Sequence, residues 1–388
     1  MKWRVLLACS AAFSLCHANR SALAIVLAEI RGEFGLSYGG AAALLATYDA
    51  GYAVTLIAGG YVATAIGRRV AIVASGLLLG GTAIASAWAA GSLPLFLLYR
   101  FVAGFAFSLY FTSGFSLIGE VFLPNERGRA YGLHTVGSAT GRAYGAALVG
   151  AVAALAGWRV AFTSYGLLAL ALGIGFWFTT RGVEDRPPGD RRPPLRLLEI
   201  LRRPSFQAAS LLNALLFTNF FVASSFLPVY LREVKGLELG ETTFLFTLIN
   251  LVAFVANPGL GWLSDRWKRL HIAYLIFACN IVLLLLLPVV PPGWPLLVFG
   301  ICFGFFLTAN VGVIAAYLME AHPQHRQAVA LGLFNTSAVL SGIVVNTLLG
   351  SVADLFGLPA LFNALALYVA LGMGAGLFIV RRVSLVPA

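Results

Sequence analysis

Four ionisable side chains fall inside long apolar runs of this 388-residue chain: Arg20, Asp49, Arg100 and Arg142. A charge within hydrocarbon costs at least about 2.5–3.5 kcal/mol, so each must face a partner, a cavity or a ligand. Arg20 continues a helical stripe of Ser10, Ser14 and His17, and Arg142 continues one of His134 and Ser138. Tyr52 follows Asp49 at about one turn. Three guanidinium groups against one carboxylate leave positive charge to be matched, and the planar Arg fork suits a carboxylate or phosphate. On this reading Arg20 and Arg142 bind a small organic anion, with His17, Ser138 and Tyr52 beside them. Asp49 then takes up a proton, or exchanges Arg partners, during a working cycle. His134 and His17, with an ordinary pKa near 6.5, are proton carriers or hydrogen-bonded packing groups. Arg100 is the more structural of the three, with Asp49 as its available partner.

The later half of the chain carries no charge inside its apolar runs. Its polar residues are amides and hydroxyls: Asn213, Thr243, Thr247, Asn250, Asn257, Asn310, Asn335 and Asn346. Amides of this kind hydrogen-bond a substrate or join helices; Asn250 and Asn335 are taken as substrate contacts. No HExxH, GxSxG or paired carboxylates occur in any run, which argues against an enzyme. A non-transporting sensor on the same scaffold is left open by the residues. Cys9, Cys16, Cys279 and Cys302 lie in apolar runs without metal-ligand spacing, so no metal and no disulfide is expected.

The elements that must hold these groups are membrane helices. The composition is 60% hydrophobic and 11% charged, with a mean hydropathy of +0.89, far from the roughly 25% charge of a soluble domain. Apolar runs long enough to span a bilayer fall at 5–29, 40–63, 70–90, 94–118, 130–155, 159–179, 206–231, 243–263, 271–290, 295–318, 328–350 and 359–380. The first resembles a signal peptide, but it has no small-residue cleavage site and is read as a retained helix. Of the 26 Lys and Arg, only Arg31, Arg159, Arg232 and Lys235 fall on one side and Arg20, Arg100 and Arg142 within spans. The rest share the other side, which makes that side and both termini cytoplasmic. The net charge of +11 is thus a topology signal and not a nucleic-acid site. The fold expected is all-α and polytopic: an N-terminal six-helix bundle (1–180), a Pro- and Arg-rich cytoplasmic linker (181–204) and a C-terminal six-helix bundle (205–388). The halves repeat. Gly60 to Arg69 after the second span matches Gly261 to Leu270 after the eighth, and Glu120, Pro124, Arg127 and Gly132 match Glu320, Pro323, Arg326 and Gly332. Duplicated six-helix halves with a midplane site are a carrier architecture.

At these loops the chain resembles the major facilitator superfamily of secondary transporters. The family loop G-x-L-x-D-R-x-G-R-R is matched by Gly261, Leu263, Asp265, Arg266 and Arg269, with Lys268 and Leu270 departing from it. The first half keeps Gly60, Gly67, Arg68 and Arg69, with Thr64 in place of Asp. Tyr99 to Gly104 resembles the family's span-four Arg-before-Gly pattern. Gly137, Gly141 and Gly145 keep the spacing of its span-five antiporter fingerprint, with Arg142 in place of the Pro. The resemblance implies a cytoplasmic latch in which Asp265, Arg266 and Arg269 work around Glu320 and Arg68 pairs with Glu120. It also implies alternating-access transport in the cell (inner) membrane by a monomer. No cofactor is expected, a proton or ion gradient being the energy source. Anion transport coupled to protons is the leading expectation; a polyspecific proton-coupled drug or metabolite exporter, with Asp49 attracting a cation, is the alternative.

Overall fold

The computed structural model describes residues 1–88, 91–123, 126–183, 200–307, 313–314, 317–318 and 324–384; the side chains of Asp265 and of residues 324–332 lie outside the described ones. The described residues form helices and connecting turns. They are α1 (Lys2–Ile25), α2 (Leu27–Phe34), α3 (Tyr38–Ile66), α4 (Arg68–Ala87), α5 (Leu93–Val121), α6 (Arg127–Thr179), α7 (Pro204–Glu233), α8 (Leu239–Arg266), α9 (Arg269–Leu286), α10 (Trp294–Leu307), α11 (Gln324–Phe356) and α12 (Leu358–Ser384). These helices fall on the runs read as spans, with two departures. The first run is a bent pair, α1 and α2, turned by 58° at Val26. The fifth and sixth runs are one 53-residue element broken at Gly157, whose φ of 83° and ψ of 164° are outside the helical range and suit only a residue lacking Cβ. Among the described residues, eight helices are long and apolar enough to cross a membrane, or nine with the bent pair. The linker expected at 181–204 falls mostly outside the described residues.

By contacts the chain divides into two compact units. The first comprises residues 1–190 with 231–250, and the second residues 191–230 with 251–388. The last three residues of α7 and the first part of α8 therefore belong with the first unit.

Within the first unit, α1 is the central strut. The glycine row of α6 lies against it: a Cβ at Gly137 would come 2.5 Å from the Ser10 carbonyl oxygen, one at Gly145 would come 2.6 Å from Ala18 Cα, and one at Gly141 would collide with the Ser14 carbonyl. Small residues permit this backbone approach, which replaces the hydrophobic drive that lipid does not supply. Three tyrosines from other helices then fix α1 along its length. Tyr110 donates to the Cys9 carbonyl (2.5 Å), Tyr165 to that of Leu15 (2.8 Å) and Tyr48 to that of Cys16 (2.8 Å). Away from the linker end, α2 and neighbouring segments carry ion pairs. Glu29 pairs with Arg232, Arg31 with Glu233 (2.6 Å) and Glu33 with Arg159. Tyr38 donates to Glu233 (2.6 Å) and Trp158 to Glu33 (3.0 Å). The Arg159 guanidinium holds the Glu33 carboxyl below the usual carboxylate range, and Lys2, at 2.6 Å from Glu126, does the same at the opposite end.

In the second unit the amides join helices. Asn213 on α7 donates to the Phe334 carbonyl of α11 (3.2 Å), and Asn219 donates to Asn280 of α9 (3.3 Å). Asn280 in turn donates to the Phe306 carbonyl of α10 (2.8 Å), while Ser341 links Thr218 and Tyr368 at 3.1 Å each.

Candidate functional site

The close packing of α1 on α6 brings Arg20 and Arg142 near each other within the first unit. Arg20 and Asp49 face each other from α1 and α3. The Arg20 Nη2 lies 3.2 Å and its Nε 3.3 Å from the carboxylate, and both side chains are buried. Asp49 thus pairs with Arg20, and the expected Arg100–Asp49 pairing is corrected. Arg100 donates from Nη1 to Asn19 Oδ1 (2.5 Å) and lies 4.8 Å from the centre of the Tyr48 ring. The reason is one of position on α1: Asn19 and Arg20 are adjacent residues, so each guanidinium meets its own partner. Arg100 is 1% exposed, and its Nε and Nη2 have no hydrogen-bond partner among the described residues.

Arg142 is buried on α6, and its Nε donates to Asn250 Oδ1 at 3.1 Å. The Asn250 amide also donates to the Phe246 carbonyl at 2.8 Å. Both ends of Asn250 are therefore engaged by protein, where a substrate contact had been expected. His17 lies in the fields of Arg142, Arg20 and His134, and Arg20 and Arg142 act on each other. Its ring meets Phe13 and Phe107 edge-on, at 4.7 and 5.4 Å. Tyr52 stacks on Phe107 at 4.4 Å. Ser138 donates to the Thr135 carbonyl of its own helix at 2.8 Å.

His134 is fully buried between Phe13 (4.6 Å, stacked) and Phe115 (4.7 Å, edge-on). Its Nε2 is 2.6 Å from the Tyr110 hydroxyl. That hydroxyl gives its hydrogen to the Cys9 carbonyl, which can only accept, so Nε2 must donate to it. The neutral ring is then the Nε2–H tautomer, with Nδ1 a bare acceptor that has no partner among the described residues.

The latch residues divide between the seen and the undescribed. Arg68 and Glu120 form an ion pair, and Arg69 donates to Thr180 Oγ1 at 3.1 Å. Glu320 and the Asp265 side chain lie outside the described residues, as do Asn310 and the Asn257 side chain. Arg266 is exposed and stacks over Trp262 at 3.9 Å, and Arg269 opens α9 half-buried. Asn335 is half-buried on α11 in the second unit. Sequence reasoning passed over Asn19 and the Glu29, Arg31 and Glu33 pairs. The short polar spacing of Glu29, Arg31 and Glu33 was the available signal for the last three, and nothing local marks Asn19 as the Arg100 partner.

Residues 9–346 match the family model described as Major Facilitator Superfamily. A Thermus thermophilus protein described as "Probable nitrate/nitrite antiporter NarK1" is 30% identical over 71% of this chain; the match spans 64% of that protein. The hexuronate transporter of Escherichia coli strain K12 is 23% identical, over 96% of this chain and 92% of its own. A crystal structure of a D-xylose–proton symporter superposes with a TM-score of 0.77 over 97% of both chains at 18% identity, a likeness of fold. With its duplicated loops, its twelve apolar runs and this match over most of its length, the chain belongs to the major facilitator superfamily, a family of membrane transporters and not of enzymes.

Proposed function

We propose that this transporter moves a small anion across the cell membrane by alternating access, with Asp49 coupling that movement to protons. The observation that carries the reading is the burial of Arg20 and Arg142 in the first unit, close enough to act on each other and on His17, with Asp49 paired to Arg20. Like charges gathered out of water repel, and an anion relieves them. In this cycle Arg142 takes the anion's carboxylate, nitrate-like or sulfonate group through charge-assisted hydrogen bonds. Protonation of Asp49 removes its charge from Arg20, which then turns toward the same anion. Tyr48, Tyr52 and Arg100 lie close enough to the carboxylate to share its field, and Arg20 is the group that holds it toward α1. Both relatives bear anion substrates in their names, an inorganic anion in one and a sugar acid in the other, which supports the charge class and leaves the size of the ligand open.

The latch reading assigns Arg68 and Glu120, with Asp265, Arg266, Arg269 and Glu320, to the cytoplasmic gate. Both termini face the cytoplasm, and the working unit is the monomer.

The test is a thermal-shift screen of purified protein against nitrate, glucuronate, sulfoacetate and lactate, with tetraphenylphosphonium as a lipophilic cation. Stabilisation by at least one anion is expected. It should weaken about tenfold or more in Arg142→Ala, since hydrogen bonds to charged groups contribute about 1.5–3 kcal/mol. Stabilisation by the cation alone would replace this reading with drug export.

A further inference from the structure

We infer that Asn250 is a positioning residue for anion selectivity: a neutral acceptor on α8 that fixes the orientation of Arg142 without bringing a negative charge to it. The inference rests on the anion reading above and assigns Asn250 a different part from a direct substrate contact.

The amide can sit in one orientation. The Phe246 carbonyl only accepts, so it takes the Nδ2 hydrogen at 2.8 Å; a guanidinium only donates, so it meets Oδ1, at 3.1 Å. Asn250 is 4% exposed and Arg142 8%, so water does not compete for either contact. The helix beneath them is fixed as well. One further stretch along α6, a Cβ at Gly150 would collide with the Thr243 side chain, so α8 approaches α6 closely over the two turns that separate Thr243 from Asn250. The contact is through Nε, the inner nitrogen of Arg142, and this sets the plane of the guanidinium and the direction of its terminal fork.

The chemistry of the holder matters as much as its position. Arg20 is held by a carboxylate, Asp49, and Arg68 by another, Glu120. Asparagine at 250 offers the same oxygen geometry as aspartate without the charge. An aspartate there would keep the oxygen that Arg142 meets and lose the hydrogen given to the Phe246 carbonyl, and it would also neutralise Arg142.

This gives a test in which fold and selectivity separate. Wild type, Asn250→Asp, Asn250→Ala and the Asn250→Asp/Arg142→Gln double variant are purified. Melting temperature and affinity for nitrate, glucuronate, sulfoacetate and lactate are measured on each. Asn250→Asp gains a charged partner for Arg142 and loses the hydrogen given to the Phe246 carbonyl, so it is expected to stay folded and to melt above Asn250→Ala, while its affinity for the bound anion falls at least tenfold. Asn250→Ala should lose both some stability and some affinity, and the double variant should melt below Asn250→Asp because its buried carboxylate has lost its partner. Wild-type affinity in Asn250→Asp would overturn the role, as would a double variant as stable as the single one. Failure of all four anions to stabilise the wild type would overturn the anion reading and this inference together, whereas tight wild-type binding with Asn250→Asp unchanged would remove the positioning role alone.

Discussion

Asp49 and Arg20 bury opposite charges against each other, and the physics of such a pair is asymmetric. Removing one partner leaves a lone charge in hydrocarbon and costs roughly 3–5 kcal/mol, whereas replacing both with apolar groups of similar volume is close to neutral. Arg20→Met alone should therefore lower the melting temperature sharply, and Arg20→Met/Asp49→Leu should recover most of the loss. A double variant as unstable as the single one would mean that the pair is not the main partner of either group. Tyr110→Phe is milder. It removes the oxygen that receives the His134 Nε2 hydrogen and leaves that donor buried, at a cost of about 1–3 kcal/mol. The four buried charges were legible in the sequence because an ionisable residue in an apolar run stands out. Their pairing was not, since only the placement of the facing helices decides that Asp49 meets Arg20 and that Arg100 meets Asn19, the residue before Arg20 on α1.

At the scale of helices, the glycine row of α6 was legible by its spacing, and those glycines are the residues that touch α1. What the spacing did not carry was the identity of the neighbour, which depends on how the helices of the unit are arranged. Gly141→Ala places a methyl group against the Ser14 backbone, which cannot give way as a side chain can. The expected result is a loss of about 1–3 kcal/mol or failure to fold, read by melting temperature and by elution as a single species. The break at Gly157 and the bend at Val26 were likewise hidden: apolar runs reveal length, and a change of helix direction needs only one or two residues. The ion pairs at the helix ends predict a pH response of definite sign. Glu33 and Glu126 have carboxyls held below the usual range, so they stabilise the folded protein above the ordinary carboxylate pKa of about 4.5, and that contribution is lost as pH falls through their folded-state values. The melting temperature of wild type should therefore fall more steeply in acid than that of Glu33→Gln, and parallel curves would remove Glu33 as a contributor. High salt should weaken the same pairs, which are solvent-accessible.

For the whole molecule, duplication was the most legible feature. The two loop motifs and the glutamate-to-glycine intervals pointed to two related halves and to the family, because repeated spacing survives where individual residues drift. The contact division is less regular than the repeat: residues 231–250 cluster with the first unit, which brings Asn250 to Arg142 across a large sequence separation. No local pattern marks such a contact. The direct test of the central claim is uptake of radiolabelled anion into proteoliposomes under an imposed inward proton gradient, using the anion that stabilises the purified protein. Wild type should accumulate the label, Arg142→Ala should fall to background, and Asp49→Asn should exchange label for unlabelled anion while losing gradient-driven accumulation. Accumulation that is equal in wild type and Arg142→Ala, or a cation carried in place of the anion, would contradict the account.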